Sequence, residues 1–256
     1  MTRILALHSY RGGTGKSNLT ANLASSLAMG GARVCIIDTD IASPGVHVLF
    51  GLEPEQLGMT LNDYLWARCG IEEAAIDVGR RLRGPEGQAA LVGPGALFLV
   101  PGSMRAADIA RIVREGYDIE RMNAGFQALG EALELDWLVI DTHPGLNEAT
   151  LLSIAIADVL FLLLRPDRQD YQGTAITLDV ARRLEVPRLE LLVNKVLSSV
   201  DFATVREGIE AGFAATVAAV LPLSEDLLRN GSETVLVAAS PAHPVSLVIS
   251  ELARGL

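Results

Sequence analysis

The sequence predicts an α/β fold, a three-layer sandwich in which a mainly parallel central sheet is flanked by helices. Seven short apolar runs carry that expectation: residues 4–7, 34–37, 97–100, 137–140, 159–164, 189–193 and 217–220, with helix-forming stretches between them. The runs are continuously apolar rather than alternating, which is the pattern of strands covered on both faces. Half of the 256 residues are hydrophobic and only 5% are aromatic, enough aliphatic side chain to bury one large core. No linker-like stretch divides the chain, so residues 1–256 read as a single domain. The Gly/Pro-rich segment 84–95 runs straight into the third apolar run and reads as a surface hairpin or loop.

The first run, Ile4 to Leu7, leads into Tyr10-Arg11-Gly12-Gly13-Thr14-Gly15-Lys16-Ser17 and then into a helix-forming stretch, Asn18 to Met29. A glycine-rich turn between a strand and a helix is where a phosphate-binding loop belongs. Glycines let backbone N–H groups turn toward a phosphate, and the helix adds roughly half a positive charge at its N-terminus. Lys16 is then placed to reach β- and γ-phosphates and Ser17 to ligate Mg²⁺. The strict pattern has Gly where Tyr10 stands, so the loop is a variant. Of the 21 basic residues only Lys16 and Lys195 are lysines, and both fall in candidate nucleotide motifs. A chain so biased toward arginine keeps lysine where a compact ammonium is needed.

In a parallel sheet the ligand sits at the carboxyl ends of the strands, so the residues just past each run are the informative ones. The second run exits through Asp38-Thr39-Asp40. Alternate residues point the same way, which lets both carboxylates face a metal ion and a γ-phosphate; a helix-capping role is the plainer alternative for either. The fourth run ends in Asp141, an acid at a strand tip of the kind that holds Mg²⁺ directly or through water. Thr142-His143-Pro144-Gly145 follows as a candidate switch loop, with His143 read as a packing residue of that loop and contact with phosphate or a partner as the alternative. Past the sixth run stands Asn194-Lys195, whose amide can pair with an adenine edge. Past the last run comes Leu221-Pro222-Leu223-Ser224.

Taken in order, these residues resemble the MinD/ParA group of P-loop ATPases, in its MinD/Mrp-like branch. The resemblance spans the chain, from Arg11 through Asp38, Asp141 and Asn194 to Pro222. The group has Lys where this chain has Arg11, and that Lys reaches across a nucleotide-sandwich dimer to the partner's phosphates. The string from Asp38 to Gly51 resembles the corresponding family segment, in which the first Asp supports the metal site and the second positions the attacking water; those roles pass to Asp38 and Asp40. The family reads Pro-Pro-Gly or Pro-Ala-Gly after its strand-tip Asp-Ser/Thr, so His143 departs from it, while Gly145 keeps the place where a backbone amide meets the γ-phosphate. The resemblance implies ATP or ADP bound by Arg11, Gly12, Gly13, Thr14, Gly15, Lys16, Ser17, Asn18, Asn194 and Pro222. It implies Mg²⁺ at Ser17, Asp38 and Asp141, catalysis by Lys16, Asp40, Arg11 and Asp38, and a switch at Thr142 and Gly145. The implied function is a slow ATP-hydrolysing switch that forms a homodimer with ATP and positions or assembles an unidentified protein partner. A maturation factor delivering metal or a cluster, and a non-hydrolysing ATP-binding adaptor, are the alternatives.

Other features narrow the classes. A formal net charge of −10 opposes non-specific nucleic-acid binding, and Arg80-Arg81-x-Arg83 reads as a solvated loop. Cys35 and Cys69 read as small core residues of a cytoplasmic protein rather than a disulfide pair. The beginning of the chain lacks a signal peptide's apolar core, and no run approaches the ~20 apolar residues of a membrane span. The last helix candidate, from Ser246 on, carries one Arg and no Lys, so a membrane anchor is not expected. His8, His47, His143 and His243 are scattered, with no zinc or nucleophilic-triad spacing. Asn18 stands where a dinucleotide fingerprint needs its third glycine. Asp167, Arg168 and Asp170 read as solvated loop charges, with partner docking as the alternative.

Overall fold

The structure, a computed structural model, describes residues 1–256. Its elements alternate through the chain. The first half holds β1 (Arg3–His8), α1 (Lys16–Met29), β2 (Arg33–Asp38), α2 (Leu61–Leu65), β3 (Ile76–Asp77), β4 (Ala96–Val100), α3 (Ala106–Glu115), α4 (Ile119–Ala132) and β5 (Trp137–Asp141). The second half holds α5 (Glu148–Ala155), β6 (Val159–Leu164), α6 (Arg168–Arg183), β7 (Arg188–Val196), α7 (Phe202–Phe213), β8 (Val217–Pro222), α8 (Glu225–Arg229), α9 (Leu236–Ala239) and α10 (Pro244–Arg254).

All eight strands form one sheet in the order β3-β4-β2-β5-β1-β6-β7-β8. Every pairing is parallel except β3 with β4. The seven apolar runs are the seven parallel strands. The eighth, β3, is two residues long and half exposed, too short to leave a hydrophobic pattern; its antiparallel pairing caps the sheet edge. Segment 84–95 is a surface turn closed by a bridge between Arg83 and Ala89.

Both faces of the sheet are dry, which explains why the strands carry uninterrupted apolar runs, with most of their polar residues at the strand ends. On one face Leu5, Leu7, Val34, Ile36 and Phe161 pack against α1, α9 and α10. On the other, Ala6, Cys35, Ile37, Leu138 and Ile140 pack against α4, α5, α6 and α7. Each such Leu, Ile, Val or Phe side chain removed from water contributes about 1.5–3 kcal/mol, so successive residues of one strand stabilise both layers at once. The last helix closes the domain as its sequence predicts: Val245, Ile249 and Leu252 are buried against the α1 side. No helix is long and apolar enough to cross a membrane.

From β1 the chain passes to β2, goes out to the edge strand β3, returns through β4 beside β2 and β5 beside β1, and then crosses to β6 on the other side. Connections leaving the middle of the sheet in opposite directions open a crevice at the carboxyl end of β1. The glycine loop lies there.

Candidate nucleotide site

Helix α1 begins at Lys16 with no side-chain cap and no acidic residue in its first turn; its cap residue is Gly15, in the left-handed region at φ +94°. By contrast α4, α5, α6, α7 and α8 are capped by Asp118, Asn147, Asp167, Asp201 and Ser224. The first N–H groups of α1 are thus left for an anion. Two features require glycine at 15: the positive φ, and an Asn194 Nδ2 that would stand 2.6 Å from any Cβ. Gly13, at φ +75°, completes the turn.

Lys16 is buried, and its Nζ lies 2.9 Å from Asp141 Oδ1. Ser17 Oγ donates to Asp141 Oδ2 at 2.6 Å, and Thr20 Oγ1 lies 2.9 Å from Asp141 Oδ1. Lysine, serine and strand-tip carboxylate therefore converge at one point. Thr20, one helical turn past Lys16, is an addition that the loop pattern does not mark.

Parallel register sets Asp38 beside Asp141. Asp38 is fully buried, and its oxygens accept backbone N–H groups from Asp40, Gly45 and Val46. It organises the loop that follows β2, and this is its visible load, in addition to any role toward a metal. Burial, and then the neighbouring Asp141 carboxylate, push its pKa up to about 7. Two buried carboxylates beside one ammonium form a pocket that favours an added cation. Mg²⁺ is commonly held by one or two carboxylates together with phosphates and waters, so the donor set of Ser17 and Asp141, backed by Asp38, fits it.

Asp40 lies just past Asp38, and His143 Nδ1 is 2.6 Å from its Oδ1. Loop packing accounts for His143 only in part, since the ring is directed to a carboxylate rather than to apolar neighbours. The loop from Thr142 to Gly145 is tied to the end of β1 and the residue after it: Thr142 Oγ1 donates to Leu7 O at 2.9 Å and Gly145 N donates to Ser9 O at 3.1 Å. Gly145, at φ +82°, approaches the Tyr10 carbonyl. His47 is buried beneath the loop after β2, where burial lowers its pKa, as suits a packing residue.

Asn194 and Lys195 fall inside the end of β7, at an irregularity in its pairing with β8, not beyond the strand. Asn194 Nδ2 donates to Thr14 O at 2.8 Å and Lys195 Nζ to Gly13 O at 2.8 Å, so the dipeptide straps the glycine loop. One Nδ2 hydrogen and one Oδ1 lone pair of Asn194 stay available to a base edge. A cleft of about 200 Å³ opens beside it, lined by Gly15, Asn18, Asn194, Pro222, Ser224 and Ile249 among others. The wall from α10 was not legible in the sequence, where that helix carries no nucleotide motif.

Arg11 lies within the same chain's reach of Asp167 and Asp170, at 3.9 and 3.7 Å. The solvated-charge reading is corrected at Asp170, while Arg168 is exposed and Asp167 is half-exposed. Asp167 caps α6, and Asp170, 2% exposed, forms a bidentate pair with Arg165 at 2.9 and 3.0 Å. Docking is equally unsuited to a carboxylate this buried. Tyr10, the residue that breaks the strict loop pattern, lies over Gly173 of α6, where no Cβ has room.

A glycine loop at an uncapped helix start, a lysine and serine on a strand-tip aspartate, and an adjoining base-sized cleft define a P-loop nucleotide-binding protein. The family model described as the CobQ/CobB/MinD/ParA nucleotide binding domain matches residues 5–237, and the chain belongs to that family of ATP-binding P-loop ATPases. An uncharacterized ATP-binding protein of Methanocaldococcus jannaschii is 27% identical, over 100% of this chain and 88% of its own. The septum site-determining protein MinD of Bacillus subtilis is 23% identical, over 99% and 88%. The solved structure of MinD complexed with Mg-ADP from Pyrococcus horikoshii has the same fold, with a TM-score of 0.80 at 20% identity, over 100% of this chain and 96% of that one.

Proposed function

We propose that this protein binds Mg·ATP, dimerises face to face around two nucleotides and hydrolyses ATP slowly, using the cycle as a switch that positions or assembles a protein partner. The observation that carries the reading is the convergence of Lys16, Ser17 and Asp141 under an uncapped helix start. In it Lys16 turns from Asp141 to the β- and γ-phosphates, loop amides from Gly12 to Ser17 take the remaining oxygens, and Asn194 and the Pro222 loop hold the base. Asn18 lines the base side of the cleft. Mg²⁺, held by Ser17 and Asp141, supplies electrostatic stabilisation of the phosphate oxygens. Asp40 orients the attacking water, and the Gly145 amide senses the γ-phosphate.

Arg11 suits the trans role because little holds it in place. Its pairs with Asp167 and Asp170 are long, and its side chain is 41% exposed; such pairs contribute about 1 kcal/mol or less. Release toward a partner's phosphates is therefore inexpensive. Delivery of a metal cluster has weaker support, since Cys35 is sealed inside β2 and burial raises the Cys69 thiol pKa, away from thiolate.

Titration calorimetry with Mg·ATP tests the reading. Heat of binding in the wild type, lost in Lys16→Ala, is expected. Asp40→Ala is expected to bind ATP but release no phosphate above background. Absence of binding heat in the wild type overturns the proposal, and binding with no wild-type turnover leaves only the adaptor.

A further inference from the structure

Strands β2 and β5 are neighbours in register at Asp38 and Asp141. Two residues past each of these stand Asp40 and His143, and the pairing continues between them as the 2.6 Å contact of His143 Nδ1 with Asp40 Oδ1. An ionised carboxylate only accepts, so Nδ1 carries the hydrogen and donates it. Asp40 lies in the turn after β2, where a short side chain rotates freely unless something holds it. His143 is the one side chain that hydrogen-bonds its carboxylate.

The donor is itself fixed from both sides. Before it, Thr142 donates to Leu7 O through Oγ1 at 2.9 Å, and its hydroxyl is also met by His8 Nδ1 at 2.8 Å. After it, Pro144 restricts the backbone of His143 to extended conformations, and Gly145 N is tied to Ser9 O at 3.1 Å. A ring on so constrained a backbone is suited to aiming a carboxylate rather than following it.

We propose that His143 is a positioning residue for hydrolysis: its Nδ1–H holds Asp40 Oδ1 and so leaves Oδ2 to orient the attacking water. The inference rests on the ATP-hydrolysing reading above and assigns His143 no contact with nucleotide.

Steady-state phosphate release and calorimetric ATP affinity test it together. His143→Ala is expected to lower kcat about tenfold to a hundredfold, the scale of a misaimed catalytic group, with the Kd for ATP unchanged. His143→Asn, whose amide nitrogen occupies the place of Nδ1, is expected to recover most of that loss. Wild-type kcat in His143→Ala overturns the inference alone, as does a His143→Asn variant no better than Ala. Wild-type protein that binds ATP without turnover overturns the hydrolysing reading, and this inference with it.

Discussion

His8 ends β1 in the core, against Thr142, and is 0% exposed. The Thr142 hydroxyl has one hydrogen, directed to Leu7 O, so His8 must donate from Nδ1 to Thr142 Oγ1. Its Nε2 then holds a bare lone pair, buried without a partner. Burial, reinforced by the charge of Lys16 and by His143, pushes the imidazole pKa down to about 3. The sign follows directly: the folded chain binds the proton more weakly than the unfolded chain, whose histidine titrates near 6.5. Stability is full above pH 6.5 and is lost as pH falls toward 3. At pH 5 the expected cost is about 2 kcal/mol, from 1.5 units at 1.36 kcal/mol each. Urea unfolding at pH 7 and pH 5 checks this against His8→Asn, which keeps a donor but does not titrate. The wild type is expected to lose about 2 kcal/mol more than the variant between the two pH values; equal losses contradict the assignment.

Between elements, the contact of α6 with the glycine loop explains how the chain tolerates Tyr10. The ring takes the space above Gly173, and a Cβ there would overlap Tyr10 ring carbons. Glycine inside a helix costs about 1 kcal/mol relative to alanine, so Gly173→Ala would stabilise α6 if space allowed. Overpacking of this kind costs about 1–3 kcal/mol, and the displaced tyrosine belongs to the phosphate loop. Gly173→Ala is therefore expected to weaken Mg·ATP binding roughly tenfold. Tyr10→Ala in the same chain is expected to restore it. Calorimetry on both decides; a Gly173→Ala variant with wild-type affinity shows that the ring moves without taking the loop with it.

For the whole molecule, the proposed cycle is a change of assembly. The net charge of −10 makes two copies repel in general, so association must be local, at the face where Lys16, Arg11 and two nucleotides meet. Asp40→Ala with Mg·ATP is expected to elute as a dimer in size-exclusion chromatography, and the same protein with ADP as a monomer. Arg11→Ala is expected to abolish the dimer while leaving ATP affinity in place. One elution position for every nucleotide state removes the dimer from the proposal. The surface on which such a switch acts is a separate matter, approached by capturing partners with the ATP-held Asp40→Ala protein.

By itself the sequence determined the layers, the seven parallel strands and the order of phosphate loop, Asp38, Asp141, Asn194 and Pro222. These are written in local terms: two-sided burial leaves uninterrupted apolar runs, a strand-to-helix turn needs glycine at Gly13 and Gly15, and strand tips precede polar residues. Tertiary structure alone decided which of those residues meet. His143 and Asp40 are 103 positions apart, and Asn194 reaches Thr14 across 180; Arg11 reaches Asp170, and α10 walls the base cleft, across similar separations. Periodicity tells a side chain which face it occupies, whereas its partner is set by strand order and register, and those are fixed only when the whole sheet assembles.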